Sequence, residues 1–380
     1  MDRVFSRDEI NTGRQREYDY LKGIFMLFIY LIHAFQATMS PEDSLMQWIY
    51  MFATMSGAAI FIFVMGFGTV YSRNAAPAHF IRSGVRMIIY QYLNNLAYVA
   101  ALLLPYPFVS GKLSESMLEN FKFVVKMYIQ YTNIFFITGI IYLVLALLKR
   151  LHLKALWYAV IGAALGIAAP FLFDRPVNVP VLGYILKLLI GDAEFVSFTP
   201  LYFLPYALLG VAFGQILRHV KDKVKFYKLL SILCIAVIFV WWALVFVNYG
   251  SDQAGMWSMM CEAYPKPNLW HMVASLAHIL LFAAIIFFVE RGGQAKNEPG
   301  EPKNPFARQL LYYSRHISKY YAMHILVYFI AYGFHGYEGF ESYQCWLLAL
   351  LSMIVTELLV RGYNYFYDGF VKKKRMAHGY

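Results

Sequence analysis

The sequence predicts an all-α integral membrane protein built as a bundle of about ten transmembrane helices. Hydrophobic residues make up 60% of the 380 residues and charged residues only 14%, whereas about a quarter of the residues of a soluble domain are charged. The apolar residues also gather into runs of about 20, the length that an α-helix needs to cross a bilayer. These two observations exclude a soluble enzyme held by a single anchor.

Ten apolar runs of this kind divide the chain, and the third, fourth and ninth are the most polar. They lie near 19–39, 47–71, 85–105, 124–148, 153–173, 199–217, 226–248, 270–290, 317–334 and 343–361. We therefore expect an N-terminal segment at 1–18, a transmembrane domain at 19–361 and a basic tail at 362–380.

The net charge of +11 is distributed unevenly between the connecting segments. Lys and Arg concentrate in alternate segments, including 72–86, 149–154 and 218–228, while the segments between them are rich in Pro, Gly and acidic residues. The positive-inside rule places the cationic segments in the cytoplasm, which predicts that both termini are cytoplasmic. Cations placed in this way indicate membrane lipids as partners and argue against nucleic acid.

The first span contains a histidine, His33, that is a candidate functional residue. The run KGIFMLFIYLIH begins with Lys22 and closes with His33, which lies about 16 Å along the helix at ~1.5 Å per residue. If Lys22 marks the inner interface, His33 lies near the middle of a hydrocarbon layer about 30 Å thick. A polar ring there is costly unless it faces a cavity or a partner. The alternative is a packed histidine with one hydrogen bond.

This first span resembles that of the acyltransferase-3 family, within the transmembrane acyltransferase superfamily. The family pattern is Asp, two residues, Arg-Gly and an apolar run that ends in His, and Asp19, Lys22, Gly23 and His33 occupy those places. Lys22 departs from the usual Arg, keeping the charge but losing the planar fork that grips phosphate.

The resemblance extends over residues 15–335. The stretches 58–73, 79–90 and 314–330 are similar to later parts of the same family, while 133–151 and 199–217 resemble bacterial relatives of heparan-α-glucosaminide N-acetyltransferase, a sister branch. No single stretch separates the two branches.

The resemblance implies a membrane enzyme of the bacterial cytoplasmic membrane. It would move an acyl group, with acetyl as the expected group, from cytoplasmic acyl-CoA to a hydroxyl or amine of a carbohydrate or lipid-linked acceptor at the outer face. Acyl transfer needs a base, a donor held in line and stabilisation of the oxyanion. Histidine, with an unperturbed pKa of about 6.5, suits the role of base, which we assign to His33. The sequence lacks the zinc signatures HExxH and paired cysteines, so no metal is expected.

Five residues are candidates for binding the acyl-CoA. Lys22 would join Arg82 and Arg86, which share a helix face because they are four residues apart, around the CoA phosphates. Ordinary positive-inside bias is the alternative for both arginines. His324 and Tyr321 belong to the ninth span and would line the donor's channel or hydrogen-bond neighbouring helices.

Three polar residues are candidates for supporting roles. Asp19 would orient Lys22, or form an ordinary interfacial ion pair with it. Asn133 would face the cavity, or act as hydrogen-bonding glue between helices. Glu357 falls inside the tenth span, where an uncompensated carboxylate is costly.

Two other functional classes remain open on the sequence alone. A transporter or flippase for a carbohydrate or amphipathic substrate also uses polar groups near the bilayer midplane, although the paired broken helices of such proteins are not visible here. A catalytically inactive relative, retained for assembly of an envelope machine, is the third possibility because of Lys22. The sequence does not predict an oligomeric state.

Overall fold

The structure is a computed structural model. It describes residues 4–36, 44–74, 76–105, 122, 131–173, 175, 179–191, 198–250, 252, 255–256, 268–294, 302, 304–335 and 340–377. Within these ranges the chain forms twelve α-helices and no β-strand. The helices are α1 (Arg16–Phe35), α2 (Ser44–Val70), α3 (Pro77–Leu103), α4 (Ile134–Arg150), α5 (Ala155–Leu172), α6 (Pro180–Ile190), α7 (Pro200–Arg218), α8 (Lys223–Tyr249), α9 (Leu269–Gln294), α10 (Pro305–Arg315), α11 (Ile317–His335) and α12 (Ser342–Ala377).

Seven of the described helices are long and apolar enough to cross a membrane, namely α1, α2, α5, α7, α8, α9 and α12. The remaining three expected spans correspond to α3, α4 and α11, which the sequence already marked as the most polar. The all-helical fold is thus confirmed, and the seven apolar helices indicate an integral membrane protein. Ten as the number of spans stays a prediction.

The described part of the fourth expected span begins at Ile134. The sequence predicts this span from about 124, of which 124–130 lie outside the described residues; residues 131–133 are not helical and α4 starts at Ile134. The Oδ1 atom of Asn133 accepts a hydrogen bond from the Phe135 N–H at 2.8 Å, which caps the helix. Gln91 of α3 accepts from the Asn133 N–H at 3.1 Å and from the Phe136 N–H at 3.3 Å. These bonds satisfy N–H groups that a helix start leaves free.

The sequence did not predict the short helices α6 and α10, or the continuation of α12 beyond the tenth span. The helices α6 and α10 each begin with a proline, a residue favoured at the first helical position. Asn304 caps α10 by accepting from the Phe306 N–H at 2.9 Å. The helix α12 continues through the expected tail as far as Ala377.

Helix α1 lies at the centre of the site region, packed against α2, α9, α10, α11 and α12. Gly23 allows a close approach to α10, because a Cβ atom at this position would overlap the backbone of Leu310. Around this contact, buried side chains including Tyr20, Met26 and Leu310 form one hydrophobic cluster. Close packing of α1 against α10 therefore explains why a glycine follows Lys22.

The N-terminal segment and the second half of α12 lie at the same end of the bundle, where the start of α1 and α12 both approach α10. In the N-terminal segment, Phe5 forms an antiparallel bridge with Val220, and the Ile10 N–H donates to the Arg218 carbonyl at 2.7 Å. At the same end, Arg361 of α12 donates to Gln309 of α10 at 2.7 Å. An even number of spans would place the termini together in this way. Which side of the membrane they occupy stays a prediction.

Candidate active site

An ion pair fixes the charged end of α1. The Nζ atom of Lys22 lies 3.1 Å from Oδ1 of Asp19. The same oxygen accepts from the hydroxyl of Ser314, in the last turn of α10, at 3.0 Å. Arg14 pairs with the other carboxylate oxygen of Asp19. Asp19 therefore holds Lys22 in place, while the lysine remains partly accessible.

Lys22 opens onto a cavity of about 220 Å³ between α1, α2, α3, α4 and α11. We call it the Lys22 cavity. Most of its lining is apolar, and its other polar lining residues are Thr138, Tyr142, Ser318 and Tyr321. A single cation at the edge of an apolar cavity suits a ligand that carries its negative charge at one end.

A second, smaller cavity of about 70 Å³ surrounds the histidine. We call it the His33 cavity; Gln36 also lines it. Ile29, Ile134 and Tyr321 line both cavities and so form the wall between them. Two adjacent cavities therefore extend from Lys22 to His33, along the direction of α1.

The hydrogen bonds of His33 define which ring nitrogen can act as a base. Its Nδ1 atom lies 2.9 Å from Oε1 of Gln36, whose amide nitrogen donates to the Tyr50 hydroxyl at 3.2 Å. With an acceptor oxygen facing it, Nδ1 carries the hydrogen. In a neutral imidazole the other nitrogen, Nε2, then holds the lone pair. Gln36 thus gives His33 the tautomer that a general base needs.

A second histidine lies beside the first. The rings of His33 and His324 have centroids 5.2 Å apart, and His324 is fully buried. Its Nδ1 atom donates to the carbonyl oxygen of Tyr320 at 2.9 Å. Its Nε2 atom has no hydrogen-bond partner among the described residues. A buried acceptor left unpaired costs about 1–3 kcal/mol. The Nε2 atom of His324, next to His33, therefore lowers the stability of the fold.

The carboxylate of Glu357 is compensated by neighbouring donors. Tyr320 donates its hydroxyl hydrogen to Oε2 at 2.6 Å, and Gln309 donates to Oε1 at 2.8 Å. Arg361 forms an ion pair with the same carboxylate. Hydrogen bonds and an ion pair of Glu357 therefore connect α10, α11 and α12. Through Tyr320, whose backbone carbonyl accepts from His324, the carboxylate is also linked to this histidine.

The remaining sequence candidates occupy different places. Tyr321 lines both cavities, whereas His324 lines neither of them. Arg82 and Arg86 are exposed, and neither lies among the residues lining the two cavities. Asn133 caps α4 directly before Ile134 and so supports the shared wall without lining it. Among the described residues, no group of three or more His, Cys, Asp or Glu side chains could hold a metal ion.

Sequence reasoning missed Gln36 and the Tyr320–Glu357 bond. Gln36 follows His33 by three residues, and side chains at this spacing are neighbours on a helix; that signal was available. The bond between α11 and α12 had no such local signal.

The fold and the site define a helical membrane protein with a paired-histidine site beside a cavity that opens at a lysine. Residues 15–361 match the family model of the acyltransferase-3 family, an acyltransferase domain. The chain belongs to the acyltransferase-3 family. Membership supports an acyltransferase and does not support the transporter alternative. No curated protein and no solved structure matched the chain. The resemblance to the sister branch stays a prediction.

Proposed function

We propose that the protein transfers an acyl group, acetyl in the simplest case, from cytoplasmic acyl-CoA to a hydroxyl or amine at the outer face of a bacterial cytoplasmic membrane. The acceptor is a carbohydrate or a lipid-linked molecule. The observation that carries this proposal is the pair of adjacent cavities, one opening at Lys22 and the other containing His33. Together they would give a thioester a route to a base inside the bilayer once part of their shared wall is displaced.

In this proposal the Lys22 cavity holds the donor. The Lys22 ammonium attracts the CoA phosphates as a point charge, and Asp19 keeps it at the mouth of the cavity. The pantetheine arm then follows α1 over the distance of about 16 Å to His33. Because Ile29, Ile134 and Tyr321 separate the two cavities, this arm must displace part of the shared wall. Tyr321 is therefore the side chain that the donor contacts nearest to the reaction.

His33 serves as the general base. Its Nε2 atom takes the proton of the acceptor hydroxyl or amine as the acceptor attacks the thioester carbonyl carbon. The tetrahedral intermediate collapses by breaking the carbon–sulfur bond, and the CoA thiolate receives the proton back from His33. General acid–base catalysis of this kind contributes about 10²–10⁴-fold to a rate. By accepting from Nδ1–H, Gln36 fixes the tautomer of the neutral ring before the proton transfer and keeps the imidazolium in place after it.

The experiment uses purified protein, acetyl-CoA labelled in its acetyl group, and lipid and glycan fractions of a bacterial cell envelope as acceptors. We expect label in one acceptor fraction and an equal release of free CoA thiol. His33→Gln should abolish both. His278→Gln is the matched control, since His278 is also a buried intramembrane histidine but lines neither cavity.

Three outcomes would contradict the proposal. Unchanged transfer by His33→Gln would remove His33 as the base. Uptake of a carbohydrate or amphipathic substrate into sealed vesicles, without release of CoA, would indicate transport. Absence of both transfer and acetyl-CoA binding in the wild type would indicate the inactive relative.

A further inference from the structure

A third cavity lies at the end of the bundle that the N-terminal segment contacts. It has a volume of about 1220 Å³ and is lined by the ends of α2, α4 and α7, the start of α5 and the N-terminal segment. It shares no lining residue with the Lys22 cavity or the His33 cavity. We call it the basic cavity.

Four cationic side chains line the basic cavity, and among its described lining residues Glu9 is the one carboxylate. Glu9 pairs with Arg218 at 3.1 Å. Lys149 is held in place, because its Nζ atom donates to the Thr69 carbonyl at 2.9 Å. Arg150 and Lys154 are exposed. The lining therefore carries an excess of positive charge that one carboxylate does not balance.

Arg150 and Lys154 are available to a ligand. Neither side chain forms a hydrogen bond or ion pair with another described residue. They flank the short connection between α4 and α5, which Gln215 of α7 holds by donating to the Leu153 carbonyl at 3.3 Å. The connection is thus fixed to the cavity wall while its two cations remain free to bind an anion.

Exposed apolar side chains lie close in sequence to the two free cations. Leu151 directly follows Arg150, and Leu156 and Trp157 follow Lys154 by two and three residues; the three are 60%, 69% and 55% exposed. A small soluble anion would gain nothing from these side chains. An amphipathic anion would place its charge on the cations and its hydrocarbon on the exposed apolar residues.

We propose that the basic cavity binds the phosphate headgroup of an anionic phospholipid, with the acyl chains lying against Leu151, Leu156 and Trp157. Basic pockets between helices at a membrane surface suit such headgroups. The phosphate would lie between Arg150 and Lys154, with Arg218 and Lys149 deeper in the cavity. This proposal is independent of the chemistry at His33.

The test is native mass spectrometry of detergent-purified protein given equimolar phosphatidylglycerol and phosphatidylcholine with identical acyl chains. Wild-type protein should retain phosphatidylglycerol preferentially. Each cation near a membrane surface contributes about fivefold to anionic lipid binding, so Arg150→Gln/Lys154→Gln should reduce the preference about 25-fold. Lys225→Gln/Lys228→Gln is the matched control, because these exposed lysines of α8 do not line the cavity. In detergent these two lysines face neither a membrane surface nor the bound lipid, so this control should leave the preference unchanged.

Each alternative occupant gives a distinct result. Equal losses in both double variants would assign the preference to surface charge and overturn the proposal. Displacement of the lipid by millimolar sn-glycerol 3-phosphate, or by free CoA, would assign the cavity to a soluble phosphate ligand and also overturn it. A wild type without a preference for phosphatidylglycerol would do the same. Equal Tm values for the two variants would show that both are folded.

Discussion

Tyr320 accepts a hydrogen bond from Nδ1 of His324 at its backbone carbonyl, at 2.9 Å, and donates one from its hydroxyl to Glu357 at 2.6 Å. One residue thus joins the ring beside His33 to a carboxylate on α12. Because Nδ1 is the donor, the lone pair of His324 lies on the unpaired Nε2 atom. His324 is a positioning residue in this account, and its neighbour His33 is the base.

Replacing His324 by Phe should lower kcat about 10- to 100-fold and leave the KM for acetyl-CoA nearly unchanged. The substitution keeps an aromatic ring but removes both nitrogens beside His33. Steady-state kinetics with the labelled assay would measure both constants, and the pH profile of kcat should also shift. A purely structural role would leave that profile unchanged.

His278→Phe is the control for this prediction. His278 is likewise buried and its Nδ1 atom likewise lies 2.8 Å from the carbonyl of the residue four positions earlier, Ala274. Equal losses of kcat in the two variants would mean that His324 contributes only to packing.

Replacing Tyr320 by Phe should destabilise the fold. The change removes one of the donors to Glu357, and a hydrogen bond to a charged group contributes about 1.5–3 kcal/mol. Thermal unfolding in detergent should show a lower Tm. Tyr365→Phe, at a position 78% exposed, should leave Tm unchanged. A Tyr320→Phe variant as stable as wild type would show that Gln309 and Arg361 suffice for the carboxylate.

Much of the fold followed from the sequence, because apolar runs of membrane-spanning length are the strongest signal a chain carries. The position of His33 relative to Lys22 followed from helix geometry alone. The start of α4 did not, since it depends on Gln91 of another helix bonding to Asn133 and its neighbours. The donors to the Glu357 carboxylate could not be predicted from the sequence either, because Tyr320 and Gln309 lie 37 and 48 residues away in the chain.

Replacing Lys22 by Gln should raise the KM for acetyl-CoA about 10- to 100-fold, since a charge-assisted hydrogen bond to phosphate contributes about 1.5–3 kcal/mol. Lys22→Arg keeps the charge and should stay within a few-fold of the wild type. Initial rates over a range of acetyl-CoA concentrations would give both values. An unchanged KM in Lys22→Gln would place the phosphates elsewhere, and the exposed Arg86 would then be the next residue to test.

Replacing Gly23 by Ala should destabilise the protein by about 1–3 kcal/mol, because the new Cβ atom overlaps the backbone of Leu310. Gly68→Ala is the control, since Gly68 is also helical but a Cβ atom there meets nothing within 4 Å. That variant should be neutral or slightly more stable, as alanine favours a helix by about 0.5–1 kcal/mol over glycine. Thermal unfolding of both variants would separate the two effects. Equal Tm values would show that α1 and α10 are not in close contact.

The most direct test of the account is an experimental structure of the protein bound to a non-hydrolysable thioether analogue of acetyl-CoA. We predict the phosphates at Lys22, the pantetheine arm in the Lys22 cavity with Tyr321 displaced, and the acetyl group in the His33 cavity facing Nε2. An analogue bound elsewhere, or one that stops short of an intact wall of Ile29, Ile134 and Tyr321, would contradict the claim that a thioester reaches His33.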